Sequence, residues 1–182
     1  LLTGSRQKVG NWPGVTVEKK TGTCNISGEV VNIVDLPGIY SFSAASPDEQ
    51  IARDFLLSKS ADVVVNILDA TSMERGLFLT MQLLEMGIPV IVAANMMDQV
   101  KELNLQLDIK GLSHELNCPV LQMTASKQQG IADLKSLLGE VSREPITSVK
   151  PIQWPQAIQQ ALPQISALIG KEQSAFLGNE HS

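Results

Sequence analysis

Three apolar runs in this chain each stop at a polar residue, and those stops constrain the fold more than any other feature. Residues 29–35 run into Asp35-Leu36-Pro37-Gly38, residues 63–68 into Asp69, and residues 88–94 into Asn95-Met96-Met97-Asp98. Short apolar runs bounded by turn residues are buried strands. Polar groups collected at the carboxyl ends of such strands are how an open α/β sheet presents a ligand site.

Between and after these runs the periodicity becomes helical. Pro47-Asp48-Glu49 opens a helix with proline and acids in its first turn, where the dipole favours them, and Ile51, Ala52, Phe55 and Leu56 recur at helical spacing. Ser72 can cap a helix over 73–86, and further helices are expected over 109–116 and 131–141, with a strand at 120–123 between them. Residues 23–27 and 29–35 flank Gly28 as an antiparallel hairpin at the sheet edge. Ahead of it, residues 1–4 read as the end of a helix with a glycine cap, from an amino terminus that has been cut, followed by a polar loop through Gly14. Alternating strands and helices imply the α/β class, with a mostly parallel sheet and helices on both faces. The composition shifts near residue 145, where Pro145, Pro151, Pro155 and Pro163 punctuate a helical pattern over 154–169. The expected division is a first domain over 1–148 and the beginning of a small helical domain over 149–182.

At 182 residues, with 43% hydrophobic and 18% charged residues, the chain has the composition of a soluble globular protein. A net charge of −5 argues against nucleic acid as a partner. No run approaches the ~20 apolar residues that span a bilayer. Cys24 and Cys118 stand apart with no Cys/His cluster and read as reduced thiols; His114 and His181 read as surface residues.

The strand ends carry the chemistry. An aspartate leaving a strand, here Asp35, can hold magnesium through its water shell, and Gly38 can offer an unobstructed N–H to a γ-phosphate. The plainer alternative is an ordinary turn, since Asp, Pro and Gly all favour one. Asp98 can accept the ring N–H and the exocyclic amine of guanine, a pair of donors that adenine lacks. Asn95 would tie loops together, and Met96 would lie over the base where a lysine is usual; the alternative is a helix cap after a strand. Thr124-Ala125-Ser126 follows the last strand, and the Ala125 N–H can reach a guanine carbonyl. Thr16 has a hydroxyl able to complete a magnesium shell. Trp12, in Gly10-Asn11-Trp12-Pro13-Gly14, is expected to find little core and to serve as a lid or partner contact.

In this order the motifs resemble the cytoplasmic G domains of the bacterial ferrous iron transport protein B family. The most specific stretches are residues 9–18, Asp35-Leu36-Pro37-Gly38-Ile39-Tyr40-Ser41, Asp48-Glu49-Gln50-Ile51-Ala52 and Asn95-Met96-Met97-Asp98. The resemblance implies a P-loop GTPase-like sheet and a slow, potassium-stimulated GTPase that binds GTP or GDP with magnesium. It implies that Thr16 ligates magnesium, Asp35 holds it through water, Gly38 meets the γ-phosphate, and Asn95, Met96, Asp98, Thr124, Ala125 and Ser126 form the base site. The carbonyls of Gly10 and Trp12 would help hold potassium. Ile39 stands where many GTPases orient water with glutamine. The expected location is the cytoplasmic face of the bacterial inner membrane, with the transporter's own membrane domain as partner and a homo-oligomer left open.

The signature Gly-x-x-x-x-Gly-Lys-[Ser/Thr] does not occur in the sequence; in the family it is expected just upstream of Leu1, with a central strand before it. Lacking that strand, the sheet is expected to show unpaired backbone near its middle. A non-catalytic guanine-nucleotide or partner-binding module is therefore the competing reading. A phospho-receiver using Asp35 or Asp69 is disfavoured, because no acidic pair follows the first strand.

Overall fold

The computed structural model describes residues 2–3, 7–13, 15, 17–43, 46–58 and 60–143, with isolated positions 156, 160, 161 and 163. The chain divides into two units, Leu1–Lys150 and Pro151–Ser182. The helix expected over 154–169 falls outside the described residues apart from those isolated positions. Every strand among the described residues lies in the first unit.

That unit opens with an antiparallel meander: β1 (Gln7–Asn11), β2 (Glu18–Ile26) and β3 (Glu29–Asp35), in that order across the sheet. Ser27 and Gly28, both at positive φ (55° and 92°), make the two-residue turn between β2 and β3. Such a turn matches the twist of the strands it joins. β1 occupies part of what reads as polar loop in the sequence. Its pairing with β2, rather than its own composition, makes it a strand. Leu2 and Thr3 are not helical.

The second sheet is parallel, with β5 (Val90–Asn95) between β4 (Val64–Asp69) and β6 (Val120–Gln122). Residues 90–94 of β5 have no exposed surface, as expected of a strand covered on both faces. Its side chains alternate between two cores. Val90 and Val92 join Leu79, Leu83 and Leu84 of α2 (Met73–Glu85) and Leu56 of α1 (Pro47–Leu57). Ile91 and Ala93 join Leu134, Leu138 and Val141 of α5 (Ile131–Arg143) on the opposite face. At the carboxyl end, Ala70, Ala94 and Val100 form a third cluster under α3 (Met97–Glu102). The remaining helix, α4 (Ile109–Leu116), precedes β6. The fold is α/β with a parallel sheet and helices on both faces.

Instead of one continuous sheet there are two. Among the described residues β3 pairs only with β2, and β4 only with β5. Side chains bridge the division: Cys24, Ile26 and Val31 reach the α5 core, while Leu36, Ile39 and Phe42 reach the α1–α2 core. On β4, Leu68 is 2% exposed but its neighbour Ile67 is 66% exposed.

Candidate functional site

Two loops at the carboxyl ends of β5 and β6 are stitched together. Asn95 ends β5, and its Oδ1 accepts the N–H of Ala125 at 3.0 Å. The Met97 N–H donates to the Met123 carbonyl at 3.1 Å, and the Ala70 N–H to the Asn95 carbonyl at 2.9 Å. Asn95 is thus a tie between loops and not a helix cap. The cap position of α3 belongs to Met96, which takes left-handed φ (65°) and makes no side-chain capping bond. Left-handed backbone costs a non-glycine residue of order 1–2 kcal/mol and persists only where neighbours impose it.

Asp98 stands in the first turn of α3, facing the 3-10 turn Ala125–Lys127. Its Oδ1 accepts the Gln99 N–H at 3.1 Å, and its Oδ2 lies 2.9 Å from Lys127 Nζ. The Lys127 ammonium, helped by that N–H and opposed by partial burial, holds the Asp98 carboxyl below the usual carboxylate range. Asp98 is therefore anionic at neutral pH, with each oxygen engaged by a donor of the chain itself. Thr124 is buried, closing the turn through a bridge to Gln129, and Ser126 lies within it. The Ala125 N–H expected to meet a guanine carbonyl is already given to Asn95. Lys127 escaped the sequence reading. The available signal was a lysine following Thr124-Ala125-Ser126 in a chain whose other loop carries methionine where lysine is usual.

At the other end of the site, Asp35 closes β3 opposite Lys20 of β2. It lines a cleft of about 410 Å³ with Val17, Glu18, Lys20, Leu36, Pro37 and Asp48. Asp48 reaches this cleft from the first turn of α1, whose start is fixed by reciprocal bonds between Ser46 and Glu49. Gly38 follows in an irregular segment, and a Cβ there would meet nothing within 4 Å. Thr16 lies outside the described residues. Gly10 lies in β1, and Trp12 follows that strand. Gly10 is held in the ladder opposite Lys19, and the Trp12 carbonyl accepts the Val15 N–H at 3.3 Å. β2 separates Gly10 from Asp35, a span of roughly two strand spacings, about 10 Å.

Trp12 corrects the sequence expectation. It is only 7% exposed, packs edge-on against Phe55 of α1 with centroids 5.4 Å apart, and has Lys19 Nζ 4.5 Å from its ring. Its indole N–H is buried without a hydrogen-bond partner among the described residues. The loop before β2 therefore leans on α1 and does not stand free.

Residues 1–138 match the family described as Ferrous iron transport protein B. This chain belongs to that family. The Fe(2+) transporter FeoB of Escherichia coli (strain K12) is 50% identical over 138 residues, covering 74% of this chain and 18% of the relative. The chain thus spans less than a fifth of the length of the curated relatives it matches. Among solved structures, the cytosolic domain of the T. maritima FeoB iron transporter in a GDP form superimposes with a TM-score of 0.84 at 34% identity, covering 91% of this chain and 66% of that one. Its GMPPNP form gives 0.84 at 35% identity, with coverages of 91% and 66%. The cytosolic domain of L. pneumophila FeoB gives 0.83 at 42% identity, with coverages of 93% and 67%.

Proposed function

We propose that this chain is the guanine-nucleotide switch of a ferrous iron transporter, binding GTP and hydrolysing it slowly. The observation that carries the base half is the tie between Asn95 and Ala125, which sets the ionised Asp98 beside the 124–126 turn. The ring N–H and exocyclic amine of guanine would take the Asp98 oxygens, with the Met96 side chain as apolar cover. The T. maritima domain, solved in GDP and GMPPNP forms, supports guanine nucleotide as the ligand class.

The cleft at Asp35 and Asp48 offers hard oxygen donors, which suit magnesium. Asp35 would hold the ion through water, together with Thr16. A bound magnesium ion neutralises charge on the phosphates and lowers the barrier to transfer. Gly38 would donate its N–H to the γ-phosphate, so that gain and loss of that group orders and releases residues 36–43. The Trp12 carbonyl accepts the Val15 N–H, and no step is assigned to a potassium ion.

The chain would act at the cytoplasmic face of the bacterial inner membrane, relaying its state to the transporter's membrane domain. Among the described residues no helix is long and apolar enough to cross a membrane. A second reading, nucleotide binding without hydrolysis, draws on Ile39, whose side chain packs against the α1–α2 core and cannot orient water. Titration with GDP and ADP tests the base site. Wild type should prefer GDP, and Asp98→Ala should erase the preference; equal binding of both nucleotides by wild type would defeat the proposal. Phosphate release from GTP then separates the two readings.

A further inference from the structure

An ion pair crosses the candidate base site. Lys127 Nζ lies 2.9 Å from Asp98 Oδ2, while Oδ1 accepts the Gln99 N–H at 3.1 Å. Both oxygens on which the base would depend are therefore engaged from within the protein. The lysine is not there by accident of a loose arm. Its turn is pinned by the Ala125 bond to Asn95, by the Lys127 N–H to the Thr124 carbonyl (2.9 Å) and by Gln128 at left-handed φ (57°).

The two partners differ in freedom. The Lys127 side chain is 56% exposed and the Asp98 side chain 26%, so the ammonium can swing into solvent while the carboxylate stays. A second carboxylate, Glu102 in the last turn of α3, also acts electrostatically on the Lys127 ammonium. Among the described residues no further charged group bears appreciably on this pair.

We propose that Lys127 gates the base-reading carboxylate, holding Asp98 while the site is empty and swinging into solvent when guanine arrives. This inference rests on the reading of Asp98 as the guanine acceptor. A charged double acceptor left bare between visits of the ligand is a poor resting state, because any cation or stray donor can take it. A tethered ammonium fills it at a cost the right base can meet, since guanine brings two donors and a base with one cannot displace the lysine as fully. Lys127 is thus a positioning and selectivity residue, not a catalytic one.

The test follows the amide shifts of Gln99 and Ala125 during titration of wild type, Lys127→Met, Lys127→Arg and Asp98→Ala with GDP and with inosine diphosphate, which lacks the exocyclic amine. Lys127→Met should bind GDP roughly two- to five-fold more tightly, the scale of an exposed ion pair. Its preference for GDP over inosine diphosphate should fall, because the one-donor base no longer has to displace the lysine, and Lys127→Arg should restore wild-type behaviour. The gap between wild type and Lys127→Met should narrow between about 20 and about 300 mM salt as screening weakens the pair. If Asp98→Ala leaves the GDP preference intact, the guanine reading itself fails and the gate fails with it. If Asp98→Ala erases the preference but Lys127→Met binds GDP no better than wild type, the gate alone is overturned, and the lysine is a clamp or a bystander.

Discussion

Cys118 shows how much a single residue's surroundings decide its chemistry. It is 5% exposed in the bend between α4 and β6, its carbonyl accepts the Ser113 hydroxyl at 2.8 Å, and burial pushes its thiol up to about 11. Because the folded state favours the neutral thiol, only roughly one molecule in a thousand carries the reactive thiolate at pH 8. A thiol reagent at that pH should label Cys24 in β2 first and reach Cys118 only on unfolding; equal rates in the native protein would contradict the burial argument. The same scale shows the reach of sequence reading. Asp35 and Asn95 were legible as strand ends because each closes an apolar run. Lys127 was not legible, because its meaning comes from a partner 29 positions away and from a turn whose geometry depends on Gln128 adopting left-handed backbone. Trp12 was misread for a related reason: nothing in its own loop announces Phe55, 43 positions on.

Elements with their own punctuation were read well, and elements defined by a neighbour were not. α1 begins where Ser46, Pro47 and Glu49 place it, and α2, α4 and α5 follow their apolar periodicity. β1 depends on β2, and α3, at six residues, is too short to display a period. The 3-10 turn carrying Ala125 and Lys127 depends on Gly130, just beyond it. Gly130 sits at φ +81°, and a Cβ there would run into the Gln122 carbonyl oxygen. Both conditions demand glycine at this position. Gly130→Ala should lower stability by about 1–3 kcal/mol in urea unfolding. By shifting the 124–129 turn it should also weaken GDP binding. A variant as stable as wild type would show that the turn is not held there.

At the largest scale, the described residues of the first unit are organised around two sheets that share cores without sharing a ladder. Stability should therefore follow the cores and not the open edges. Leu68→Ala, in the α1–α2 core, should cost about 2–5 kcal/mol. Ile67→Ser, one residue along the same strand but 66% exposed, should stay within about 0.5 kcal/mol. Thermal or urea unfolding of both variants checks this, and comparable losses would mean that the exposed face of β4 is covered in solution. The sequence carried the parallel half of this architecture in its apolar runs; the division between the sheets is a matter of which strands meet, and only the fold reveals it. Trp12 crosses that architecture in another way, because one ring is held jointly by the loop before β2 and by α1. A ring in a dry setting emits at shorter wavelength than one in water, so with Trp154 replaced, Trp12 serves as a built-in optical gauge. Any event that parts the loop from the helix uncovers the indole, and its glow shifts toward the red before a single bond in the nucleotide has changed.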